Sequence, residues 1–254
     1  MAIEVTTKVY KPSMNVGNVY ARPYGGAVLP MPIGNVLEMA VEHTEDVQTQ
    51  EDMTQLGGGT HAEVRRVTAV KVTMKLADLN PVNVARAALG TVQEVESGSV
   101  TDEPHVATRG GLVALANIGP TSVVVKKGAT AAAATAVSAA GTYEVRAAGV
   151  FLLPEATGVT NGDKLWISYS FGDYAAIEAL TTKAVELELL VEGLNEADSG
   201  NPVILNIWRC SQGITKSLSV FGKGFGALEV EGSVLQDTTK TGVGISKYYR
   251  QLMV

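Results

Sequence analysis

The sequence is short of most residues that site chemistry needs. It holds one cysteine, Cys210, so no intrachain disulfide can form and no cysteine-based metal site can be built. The preceding run, Val203-Ile204-Leu205-Asn206-Ile207-Trp208-Arg209, reads as a strand, so a buried, inert thiol is expected. Charged residues make up only 18% of the chain, with 20 Lys and Arg against 26 Asp and Glu, giving a net charge of −6. A protein that grips nucleic acid needs a basic face to displace counterions from phosphates, and this balance does not supply one. The acidity is that of an ordinary mildly acidic protein before anything else, and is also compatible with a surface that DNA slides past without sticking. Long runs of large apolar residues are also missing. The uncharged stretch Gly128 to Tyr143 is mostly Ala, Thr and Gly, so no transmembrane helix is expected. Met1-Ala2-Ile3-Glu4 shows no basic stretch leading into an apolar run. No secretory leader is therefore expected, and the protein is expected to be made and to stay soluble in a cytoplasm.

What is present is a folding composition, 46% hydrophobic with a mean hydropathy of +0.15, which excludes disorder as the main state. A positive hydropathy without a membrane segment fits surface buried between subunits, and also the Ala, Val and Gly content of any β protein. The length of 254 residues suits one large all-β domain or a core with an insertion.

Along the chain, Pro12, Pro23, Pro30 and Pro32 and the triplet Gly57-Gly58-Gly59 punctuate the first stretch. This predicts an N-terminal arm from Met1 to about Tyr24 and a long loop from His43 to Gly59, around a strand at Val36 to Glu42. From Glu63 to Leu76 the alternation is clean: Val70, Val72, Met74 and Leu76 oppose Lys71, Thr73 and Lys75. A short helix at about 80–89 should follow. Asn80 can cap it, Pro81 suits its first turn, Gly90 can end it, and Val84, Ala87 and Ala88 are expected on its buried stripe.

Residues 97–173 are richer in Ala, Gly and Thr and read as an inserted β-rich subdomain, with a tight turn at Asn161-Gly162-Asp163. Residues 1–96 and 174–254 form the core. Strands are expected again around Val185 to Val191, Ile214 to Val220, Leu228 to Val234 and Lys247 to Val254. The fold class is therefore mainly β: an antiparallel sandwich or barrel with one short flanking helix.

The search for chemistry finds no catalytic and no metal constellation. His43, His61 and His105 are scattered, without metal-ligand spacing. Glu45-Asp46 and Glu51-Asp52 suit a solvated loop better than a glycosidase dyad, because adjacent residues point apart, although their density leaves weak cation binding open. Gly222-Lys223-Gly224-Phe225-Gly226 lacks the Lys-Ser/Thr pair of a phosphate loop and is read as a hairpin tip. Lys247-Tyr248-Tyr249-Arg250 interleaves bases and rings, more as strand packing than as a base-stacking platform. No enzyme activity and no cofactor are expected.

The passage Leu76-Ala77-Asp78-Leu79-Asn80-Pro81-Val82-Asn83-Val84-Ala85-Arg86-Ala87-Ala88-Leu89-Gly90, entered directly from a strand, resembles that of siphophage major tail proteins. The stretches Gly213 to Val220 and Ala227 to Asp237 are similar to the paired strands that close that family's sandwich. The resemblance implies hexameric rings stacked into a hollow tail tube, the conduit for DNA ejection. It also implies placement in the virion tail after assembly in a bacterial host, with a tape measure and a tail terminator protein as partners. Contractile tails and bacterial secretion tubes share that fold. In such a tube the polar strand faces become lumen candidates: Lys71, Thr73, Lys75, Ser217, Ser219, Glu229, Glu231 and Ser233. The rival class is a carbohydrate-binding or adhesive β-sandwich module, which should show clustered exposed aromatics. Aromatics are only 6% here, and Trp166 and Trp208 both fall in strands.

Overall fold

Alternating side chains decide most of this architecture, because a half-buried strand must present one apolar face. The computed structural model describes residues 12–54 and 56–254. In chain order the strands are β1 (Asn15–Pro23), β2 (Met31–Pro32), β3 (Val36–Glu51) and β4 (Thr60–Leu76), followed by α1 (Pro81–Ala87). Next come β5 (Thr91–Val95), β6 (Gly98–Val106), β7 (Leu112–Ala114), β8 (Thr121–Lys127), β9 (Thr135–Ala136), β10 (Tyr143–Arg146), β11 (Gly149–Leu152), β12 (Lys164–Phe171) and β13 (Tyr174–Glu178). The chain ends with β14 (Glu186–Asn195), β15 (Asn201–Gln212), β16 (Leu228–Val234) and β17 (Tyr249–Met253). The protein is mainly β and antiparallel, with one α-helix among the described residues. It divides into two compact units, Met1–Thr91 with Ile177–Val254, and Val92–Ala176.

The first unit is an eight-stranded sheet in the order β2-β1-β14-β15-β16-β4-β3. β17 also lies on β15, pairing with Val203 to Ile207, while β16 takes Cys210 to Gln212 further along. β1 and β3 are far apart in this order, yet Val19 and Val36 line one cleft with Val191 and Leu205. The sheet is therefore curled round on itself. Its core holds Val70, Val72, Met74 and Leu76 with Leu187, Leu189, Ile207, Leu228 and Val230, all buried. Each such side chain stabilises the fold by roughly 1.5–3 kcal/mol.

Several expectations are corrected here. The arm was expected to run to about Tyr24, but Asn15–Pro23 is an internal strand, paired with β14 from Asn15↔Asn195 to Pro23↔Leu187. The rest of that arm, Met1 to Lys11, lies outside the described residues. The loop expected at His43 to Gly59 is mostly strand, since β3 continues to Glu51 and pairs with β4 back to Thr60. Both faces of that stretch are exposed, so no burial pattern marks it as strand. The strand expected at Ile214 to Val220 is an irregular loop. The Gly213 N–H still donates to Glu231 O, but the Thr215 N–H turns to Ala87 O of the helix, at 2.8 Å each, and the ladder ends.

The helix buries Asn83, Ala85 and Ala87, where Val84, Ala87 and Ala88 were expected. The Asn83 amide donates to Ile33 O at 2.8 Å and to Asp78 O at 3.1 Å, which draws a polar residue inward that hydropathy assigns to the surface. Asn80 caps as expected, accepting from the Asn83 N–H at 2.9 Å. The left-handed residue at the helix end is Leu89, with φ 49°, and not Gly90. Gly90 is needed for a different reason: a Cβ there would stand 2.4 Å from Glu178 O.

The second unit is a β-sandwich of two sheets, β10-β11-β7 and β6-β12-β8-β9, closed over Val125, Val150, Leu152, Leu165 and Ile167. The turn at Asn161-Gly162-Asp163 is present, with Gly162 at φ 89°. The Thr160 N–H and hydroxyl donate to the Asp163 carboxylate, and Lys127 pairs with it at 3.0 Å. These donors, the Thr160 N–H first and then Lys127, hold the Asp163 pKa down to about 2.

Candidate functional site

Two surfaces of the first unit stand out. One is the polar face of β4 and β16, where the register places Glu229 opposite Lys75, Glu231 opposite Thr73, and Ser233 opposite Lys71. The structure thus brings Lys71, Thr73, Lys75, Glu229, Glu231 and Ser233 to one face, on the strand phase that the sequence predicts. Ser217 and Ser219 do not join it, because they lie in the irregular loop and not on a strand. Their neighbour Lys216 does, since its ammonium pairs with Glu231 at 2.9 Å while Lys71 holds the other carboxylate oxygen at 2.8 Å. The hydrogen bond from Lys71, then that from Lys216, lowers the Glu231 pKa to about 2. The face is therefore of mixed sign. Sequence reasoning missed Lys216, which carried no signal beyond its charge.

The other surface is the outer half of the β3–β4 hairpin. From Glu42 to Glu51 on one strand and from Thr60 to Thr68 on the other, every residue is exposed. The ribbon nevertheless displays Val47, Val64 and Val67, with Met53 and Leu56 at its tip. Gly57, Gly58 and Gly59 turn the chain there, all at positive φ, and the Asp52 N–H donates to Gly59 O at 2.7 Å. Several of its carboxylates have local partners. Glu45 meets Arg65 at 3.4 Å, and the Thr54 N–H donates to Asp52 at 2.8 Å.

The remaining candidates fall into structural roles. His43 meets the Tyr249 hydroxyl at 3.0 Å, and His61 is exposed on β4. His105 lies 2.8 Å from Glu103, which also accepts from the Tyr169 hydroxyl at 2.7 Å and the Ala116 N–H at 3.1 Å. That network was not anticipated, although Glu103 stands two residues before His105 on one strand face. No group of three or more His, Cys, Asp or Glu able to hold a metal occurs among the described residues. Cys210 is buried, and burial pushes its thiol pKa up to about 12. Lys240 and Arg250 lie over the Trp208 ring, 4.4 and 5.5 Å from its centroid, which covers that aromatic face with cations. No helix among the described residues is long and apolar enough to cross a membrane.

Fold and surfaces together define an antiparallel β protein with an added sandwich and a projecting ribbon. The chain belongs to the family described as "Protein of unknown function UCP028589", which its sequence matches over residues 12–252. No curated protein matches it.

Proposed function

We propose that this protein is the structural subunit of a phage tail tube, polymerising as stacked hexameric rings into the conduit through which DNA is ejected. On this reading it works without turnover or cofactor, and the tape measure and tail terminator proteins meet the assembled tube. The observation that carries the reading is the β3–β4 ribbon. A two-stranded hairpin is at best marginally stable alone in water, yet this one runs on past its own core with both faces exposed. Its apolar Val47, Val64 and Val67 and the outer edge of β3, unpaired among the described residues, find cover when another copy packs against them. The polar β4–β16 face supports the same reading, because hydroxyls and carboxylates, with Lys71 and Lys216 both engaged by Glu231, offer phosphates little grip.

Negative-stain microscopy of the concentrated protein tests this. Rings or tubes are the expected result. Particles that remain monomeric over the whole accessible concentration range overturn it.

A further inference from the structure

The sheet of the first unit turns two different surfaces outward. An antiparallel sheet that packs one face on a core ordinarily shows water a polar one, as β4 and β16 do. On β1, β14, β15 and β17 the outward phase is apolar instead. Val16 pairs with Leu194 and Leu194 with Pro202, and one row further on Ile204 pairs with Leu252. These residues alternate with the buried Val19, Leu189, Val203 and Ile207, so they share the face turned away from the core. Val16, Leu194 and Leu252 are 46%, 50% and 44% exposed. Opposite and diagonal neighbours on a ladder stand about 5–8 Å apart, so the five side chains form one continuous patch.

The patch has a cationic end. On the same phase of β17, Arg250 lies with Lys240 over the Trp208 ring. Arg250 has no carboxylate partner among the described residues, while Lys240 lies near Asp237 without an ion pair. The carboxylate inside the patch, Glu192, accepts from the Tyr20 hydroxyl at 3.1 Å. A contiguous apolar face of this kind marks an interaction site, and its cationic end calls for a partner that is apolar and acidic.

The chain itself supplies such a partner. From Glu45 to Thr68 the β3–β4 ribbon carries five Asp and Glu against Arg65 and Arg66, a surplus of three negative charges. Val47 opposes Arg65 and Val67 opposes Glu45, so both valines share one side with the Arg65–Glu45 pair. Ribbon and patch are both uncovered in one and the same chain, so the ribbon does not lie on its own sheet.

We propose that the ribbon of one copy lies with its Val47–Val67 side on the Val16–Leu194–Leu252 face of the next, its carboxylates toward Arg250. The packing is sheet on sheet. The contact is heterologous: a copy that gives its ribbon keeps its own face free for another. The inference rests on the tail tube reading, for which it names the surface that receives the ribbon. Two strands of seven residues cover roughly 23 Å by 10 Å, far short of the roughly 800 Å² per partner of a stable interface. One contact is therefore weak, and assembly requires high concentration or a closed ring in which every copy both gives and receives.

The test uses two variants of the full chain, altered only at exposed positions. Val47→Ser with Val67→Ser disables the ribbon, and Leu194→Ser with Leu252→Ser disables the face. In sedimentation velocity the wild type should form species larger than dimers as concentration rises, while each variant alone stays monomeric. Mixed together, one working ribbon and one working face remain, so the variants should form heterodimers that do not grow. Circular dichroism melts check that each variant folds. If the face variant does not, Arg250→Glu takes its place and should also stay monomeric where the wild type associates. Variants that assemble alone as the wild type does overturn the contact, and if those assemblies are rings or tubes the tail tube reading survives. Variants that pair as expected, beside a wild type that makes only open chains without rings, leave the contact standing and overturn the tail tube reading. A wild type that never associates overturns both.

Discussion

The Lys71 ammonium and the Glu231 carboxylate meet at 2.8 Å across β4 and β16, and Lys216 closes on the same carboxylate from the loop. The two lysines hold the Glu231 pKa near 2, below its usual value of 4.5. A carboxyl depressed on folding contributes stability above its unfolded pKa and loses it as pH falls through the folded one. The contribution should therefore be complete above about pH 4.5 and disappear between about pH 4.5 and pH 2. Thermal melts across that range should show a steeper acid loss for the wild type than for Glu231→Gln, and added salt should narrow the difference at these exposed groups. Asp163 titrates in the same direction in the second unit, so the variant should keep part of the acid response. Identical acid profiles for wild type and variant would show that the three charges do not stabilise the fold.

A second prediction concerns β1. Gly17 faces Gly193 across β1 and β14, and a Cβ on Gly17 would stand 2.0 Å from Glu192 O and 2.6 Å from the Gly193 Cα. The obstacle is backbone and cannot rotate away as a side chain could. Gly17→Ala should lower the urea midpoint, with a destabilisation of about 1–3 kcal/mol typical of overpacking. Gly224→Ala, whose Cβ would meet open space, is the control and should be neutral. A wild-type midpoint for Gly17→Ala would mean that β1 is not held against β14, and the segment would again read as an arm.

How far the sequence showed all this depends on where burial leaves a pattern. β4 and β16 were legible because Val70, Val72, Met74 and Leu76, and Leu228 and Val230, face a core while their neighbours do not. The same alternation at Ile214 to Val220 misled, because no adjacent strand takes its N–H groups after Gly213 and Thr215 bonds to the helix instead. That error moved Ser217 and Ser219 off the polar face. The outer hairpin failed in the opposite sense: its strands pair by backbone alone, with both faces in water, so no period of two appears. Asn83 is missing from the expected buried stripe because its burial follows from two carbonyl partners that are distant or irregular in the chain. Pairwise polar contacts of this kind, including that of Glu103 with Tyr169, have no linear signature.

The hairpin gives the last prediction. Deleting residues 45–68 and joining Thr44 to Ala69 through Asn-Gly replaces the ribbon with a two-residue turn that suits the strand twist. The inner half of the pair is kept, from Val36↔Leu76 to Thr44↔Ala69, and with it the buried Val70, Val72, Met74 and Leu76. Because the strand residues removed, 45–51 and 60–68, are all exposed, the shortened chain should fold and melt close to the wild type. A ribbon that serves only to reach another copy should be dispensable for the monomer and indispensable for the polymer. Circular dichroism melts and negative-stain images of the same preparation separate the two. The expected result is a native melting temperature together with loss of rings and tubes. A shortened chain that still builds normal tubes would show that the ribbon does not join copies. One that no longer folds would show that the ribbon stabilises its own subunit, so that Val47, Val64 and Val67 owe their place to the monomer.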